Sequence, residues 1–189
     1  MINNKCVIVI LVVSQILLIG CGKKGSNLNS NQMNLSLDEL KNWETNNTKD
    51  LTREREMDEY KVDLYYMPSN SDGINNFTYV LRLKSKDNKN VYESSISKYA
   101  DETSKVMYWS SGVRNRLYMM SNKDTVIANA VLFENTGKLR NEIYLNVGFS
   151  GNFNESKTYS VVYDDDYLGL GRIEFNVTDL INNSPKLKL

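Results

Sequence analysis

From residue 60 onward, apolar and polar positions alternate at period two in short runs separated by turn residues. Tyr60-Lys61-Val62-Asp63-Leu64-Tyr65-Tyr66-Met67 stops at Pro68, and 77–84 repeats the pattern after a loop rich in Ser, Asn, Asp and Gly. Such alternation predicts half-buried strands joined by turns. A turn at 86–89 leads into a third run over 90–96, giving a three-stranded meander. Further strands are expected at 106–110, 114–120, 125–133, 142–149, 158–163 and 171–177, with one helical turn near 98–103. About eight or nine short strands of this spacing predict an all-β fold, an antiparallel sandwich of immunoglobulin-like or similar type. The twelve tyrosines suit pleated, half-buried surfaces.

Before residue 60 the pattern differs. Ser36-Leu37-Asp38-Glu39 has capping-box spacing, and Leu37, Leu40 and Trp43 follow at helical intervals, predicting a helix over 37–45. The charge-dense stretch 49–59 reads as a solvated linker or short helix, with a docking surface as the alternative. Residues 22–35 are polar and Gly/Ser/Asn-rich, the composition of a flexible tether reaching roughly 20 Å.

At the start stands Lys5, then an apolar run of about fourteen residues, shorter than the roughly twenty that a spanning helix needs. A basic start, a short apolar stretch and a small residue before the cut describe an export signal. The ending Leu18-Ile19-Gly20-Cys21 resembles the lipobox of bacterial lipoproteins. That resemblance implies cleavage before Cys21, with diacylglyceryl and palmitate-type acyl groups on the new terminus. The implied organisation is a signal peptide at 1–20, a lipidated tether at 21–57, a sandwich domain at 58–180 and a fraying tail at 181–189. The expected location is the cell envelope, on the outer membrane if the source has two, because Gly22 rather than aspartate follows the anchor.

Composition narrows the chemistry. Lys and Arg number 23, Asp and Glu 23, and histidine is absent. The balance argues against a nucleic-acid partner, and missing histidine removes the commonest general base and a common metal ligand. Cys6 leaves with the signal and Cys21 is acylated, so no thiol nucleophile remains.

Asp164-Asp165-Asp166 could cradle a hard cation such as calcium, although the spacing is not that of an EF-hand; the plain alternative is a solvated acidic turn. Tyr108 and Trp109, if exposed at a loop, could stack on a sugar or anchor a partner; alternation along a strand would instead bury one of them. Ser95-Ile96-Ser97-Lys98 has the Ser-x-x-Lys spacing of penicillin-interacting enzymes but lacks their companion motifs. The expectation is therefore a membrane-anchored, non-enzymatic interaction or scaffold module with a protein partner. A glycan- or calcium-binding lipoprotein is the alternative.

Overall fold

The computed structural model describes residues 34–72, 75–122, 124–134, 141–151 and 158–187. The export signal, Cys21 and most of the polar stretch 22–35 lie outside the described residues. Among the described residues no helix is long and apolar enough to cross a membrane.

The fold is an all-β sandwich. Strands β2 (Thr52–Glu56), β3 (Tyr60–Tyr66), β4 (Asn76–Ser85), β7 (Ala130–Glu134) and β8 (Glu142–Ser150) form an antiparallel sheet in the order β2-β3-β4-β8-β7. Strands β5 (Leu117–Ser121), β6 (Asp124–Ile127), β9 (Ser160–Asp165) and β10 (Gly171–Asn176) form the second, in the order β10-β9-β5-β6. Cross-strand register places Leu64, Leu81, Leu145 and Phe133 in one inward row, and Tyr66, Tyr79, Val147 and Val131 in the next. Across the core stand Val161, Tyr163 and Phe175, all buried. The outward row is polar: Glu54, Asp63, Arg82, Tyr144 and Glu134 lie side by side across all five strands. Within it the Arg82 guanidinium bonds the buried Asp63 carboxylate.

Helix α1 (Leu37–Asn46) begins as its sequence predicts. The Ser36 amide donates to Glu39 Oε2 at 2.9 Å, and Glu39's amide returns to the Ser36 hydroxyl. Its Glu44 accepts the Tyr65 hydroxyl at 2.8 Å and the Ser69 amide at 3.0 Å, which fastens the helix to β3 and the turn beyond it.

Several expectations are corrected. The 49–59 linker contains a strand, because Arg53-Glu54-Arg55-Glu56 is itself a period-two pattern with arginines inward and glutamates outward. Arg55 lies 5.8 Å over the Phe175 ring and donates to the Glu174 carbonyl, while Arg53 pairs with Asp179. The expected strand at 90–96 is a turn, in which Asn90 Oδ1 accepts the Tyr92 amide and Ser94's hydroxyl bonds the Asn90 carbonyl. The expected strand at 106–110 is part of helix α2 (Glu102–Ser110), started by Asp101, whose carboxylate caps the Ser104 amide at 2.9 Å. The run 114–120 is extended only from Leu117, after a 3₁₀ segment at Gly112–Arg116.

The single run 125–133 is two strands in different sheets. The Ala128 amide bonds the Leu117 carbonyl of β5 and the next amide, Asn129, bonds the Gly148 carbonyl of β8, so the chain changes sheets within one peptide. A short helix α3 (Thr178–Asn183) follows β10, and the tail does not fray as far as Leu187: β11 (Lys186–Leu187) pairs in parallel with β1 (Asn34–Leu35).

Two leucines test this layout. Leu81, fully buried, costs about 2–5 kcal/mol when replaced by alanine, whereas Leu132, 65% exposed on β7, costs under about 0.5 kcal/mol in dilute solution, where the isolated chain is read. Urea denaturation of Leu81→Ala and Leu132→Ala checks both.

Candidate functional site

The acidic triplet ends β9, and its three carboxylates go to three places. Asp164 Oδ2 accepts the Tyr118 hydroxyl from the neighbouring strand at 2.8 Å. Asp165 turns inward and is buried. It accepts the Tyr163 hydroxyl at 2.8 Å and the amides of Tyr167, Leu168 and Leu170 at 2.9–3.3 Å, bracing the loop that Gly169 and Gly171 close with positive φ. Asp166 Oδ2 gathers Lys98 Nζ at 3.0 Å, the Tyr99 hydroxyl at 3.0 Å and an Arg116 nitrogen at 2.6 Å. Successive residues at a strand end point in different directions, so the cation cradle expected of Asp164, Asp165 and Asp166 does not assemble. No cluster of three His, Cys, Asp or Glu side chains suited to a metal exists among the described residues.

Tyr108 and Trp109 are likewise relocated. On a helix rather than a strand, neighbouring residues can both face the core, and both are buried. Trp109 stacks on Phe133 at 5.1 Å and meets Tyr167 edge-on at 4.7 Å, while Tyr108 packs against Tyr99 and Tyr167, each at 4.9 Å. Neither ring offers a free face to a sugar. The Tyr108 hydroxyl lies 3.1 Å from that of Tyr163, which in turn donates to Asp165. Burial pushes both phenols well above their ordinary pKa, so they act as neutral hydrogen-bonding groups. The Ser-x-x-Lys residues are also committed: the Ser95 hydroxyl donates to the Tyr99 carbonyl and Lys98 pairs with Asp166.

What remains open to a partner lies at the surface. One groove of about 680 Å³ runs beside β7, floored by Thr78, Gly148 and Ala130 and walled by Ser111, Arg114 and Asn129. A second, about 610 Å³, separates β2 from α3 and contains Arg53, Arg55, Phe175 and Asp179. Arg114 and Leu132 had no signal in the sequence, because the run that contains Leu132 reads as one long strand rather than as an edge.

Asp165→Asn leaves one acceptor for four donors and turns an amide group toward them, a cost of about 3 kcal/mol. Asp164→Asn, facing one hydroxyl, costs under about 1 kcal/mol, and thermal unfolding distinguishes the two. At Asp166, burial by itself would raise the pKa, but the bonds from Lys98 and Tyr99 and the charge of Arg116 outweigh it and hold the carboxyl below its ordinary value. An acid whose pKa is lower folded than unfolded adds stability above its ordinary pKa and loses it as pH falls through the folded value. The stability gap between wild type and Asp166→Asn is therefore full at pH 7 and closes below about pH 4. Urea midpoints from pH 2 to 7 measure it. Comparison with protein-family models, with curated proteins and with solved structures finds no match to this chain.

Proposed function

We propose that the chain is a lipid-anchored interaction module of the bacterial cell envelope, held to a membrane through Cys21 and acting by docking rather than by catalysis. The observation that carries this reading is the sequence itself: Lys5, the short apolar run and Leu18-Ile19-Gly20-Cys21. Gly22 at the following position favours the outer membrane where there are two.

Docking is supported by where apolar side chains are left in water. Val106 and Met107 on α2, Ile127 on β6 and Leu132 on β7 are each more than half exposed. Single exposed apolar residues are ordinary, but three of these sit on elements that pack together, α2 against β7 through the Trp109–Phe133 stack, and Ile127 ends the strand that runs into β7. The opposite end of the same sheet carries the charged strand β2. A module of this kind works by its surface, and the lipid sets where that surface is presented.

Metabolic labelling with an alkyne palmitate analogue tests the anchor. The wild-type chain is expected to incorporate label and sediment with membranes, and Cys21→Ser to lose both. Label retained by Cys21→Ser overturns the anchor. Photo-crosslinking residues placed around the surface in native membranes test the docking role, and a chain that forms no protein adduct from any position is not an interaction module.

A further inference from the structure

The two edges of the five-stranded sheet are built differently. β2 is charged at four of its five positions; its inward Arg55 reaches the other sheet's β10 and its inward Arg53 pairs with Asp179 of α3. Inward and lateral charge is how a sheet edge is kept from pairing with another chain. β7 reads Ala-Val-Leu-Phe-Glu, with no charge before Glu134, and among the described residues no strand pairs with its far side. An apolar edge of this kind presents a row of backbone donors and acceptors ready to accept another strand.

The charges around β7 select the strand. Arg114 is held at the N-terminal end of β7, where its Nε donates to the Ala128 carbonyl at 2.9 Å. It is the one charged residue lining the groove there, and among the described residues its terminal nitrogens meet no carboxylate. At the other end of β7, Glu134 is exposed; one of its oxygens accepts from Asn146 at 2.7 Å. The complementary ligand is thus an apolar strand that brings an acid to Arg114. β7 itself has that composition.

We infer that two copies of this chain pair antiparallel through β7, joining their five-stranded sheets into one continuous sheet. Centred on Leu132, the pairing sets Leu132 against its own copy, Val131 against Phe133, and Ala130 against Glu134. Aliphatic and aromatic side chains then meet in cross-strand pairs, and no like charges face each other. Ala130 points to the outer face, in register with Gly148 and Thr78, so the second copy's Glu134 arrives over that small-residue floor beside Arg114. Two-fold symmetry repeats the contact at the other end. Within one copy Arg114 and Glu134 lie at opposite ends of β7, so the pair forms only between copies.

The arrangement suits a membrane, a point that rests on the lipid-anchor reading. A two-fold axis normal to the sheet keeps both outer faces on one side. Tyr65, on that face, holds α1 through Glu44, so the α1 helices of both copies lie on the same side, an arrangement in which two anchors can share one bilayer. Confinement to a membrane raises the effective concentration, which allows a short edge contact to suffice.

Sedimentation of the lipidated full chain in detergent micelles, together with disulfide trapping in native membranes, tests the inference. Wild type is expected to dimerise. Arg114→Glu and Glu134→Arg each weaken dimerisation by at least about tenfold, and the double charge swap restores it to within about threefold. Directly opposed strand residues have Cβ atoms about 4.5–5.5 Å apart, so Leu132→Cys is expected to give an oxidised dimer, and Thr52→Cys on β2 none. A chain that stays monomeric at about 100 µM overturns the inference, as does a double swap no better than its single parents or a silent Leu132→Cys. Circular dichroism confirms that each variant is folded. A chain that labels at Cys21 and captures a partner elsewhere but never self-pairs refutes β7 pairing alone. Loss of labelling and partner adducts refutes the envelope reading, while sedimentation of the same full chain without its lipid still judges the strand contact.

Discussion

Four donors converge on Asp165, a carboxylate carried into the interior at the end of β9. The Tyr163 hydroxyl and three amides of the loop that follows satisfy it, and a buried acid without such partners would be strongly destabilising. Much of the fold is positioned from this point. The braced loop places Tyr167, Tyr167 sets the rings of Tyr99, Tyr108 and Trp109, and Trp109 supports Phe133 of β7. The second link is polar: Tyr108 reaches the same carboxylate through Tyr163. Helix α2 is therefore locked to the sandwich both by aromatic packing and by a hydrogen-bond relay.

This arrangement explains why an acidic triplet that looks like a ligand set in sequence behaves otherwise. Along a strand, alternate side chains point to opposite faces, so a run of three aspartates cannot converge without a loop that folds back. Here the loop folds back onto one of them with its own amides. Asp164 and Asp166 are taken by side chains from Tyr118, Lys98, Tyr99 and Arg116, which arrive from distant parts of the chain.

The strands that were legible from alternation with one buried face are β3, β4, β8 and β10; β9 was legible instead from its β-branched and aromatic run Val161-Val162-Tyr163, all three buried. The capping box at Ser36 was equally readable, since its bonds are local. Less legible were elements whose fate depends on contacts made elsewhere. Residues 106–110 hold valine, tyrosine and tryptophan, which favour strands, yet Asp101 starts a helix and the aromatic cluster rewards two adjacent buried rings. The change of sheet at Ala128 has no signature, because both halves of 125–133 are apolar and β-prone. In β2 the alternation of Arg and Glu hid a strand whose inward side chains are charged. The candidate site was correspondingly obscure: an edge is defined by what does not pair with it, which no local pattern records.

The parallel pairing of β1 with β11 has a mechanical meaning. Residues preceding Asn34 connect the domain to its proposed anchor, so any pull through them reaches a two-residue strand first. Among the described residues that strand pairs only with β11, which itself lies against the Pro68–Asn70 turn, and α1 with its Glu44 contacts stands between it and β3. Tension would release this clasp while both sheets stayed intact, which lengthens the leash and leaves the proposed docking surface folded.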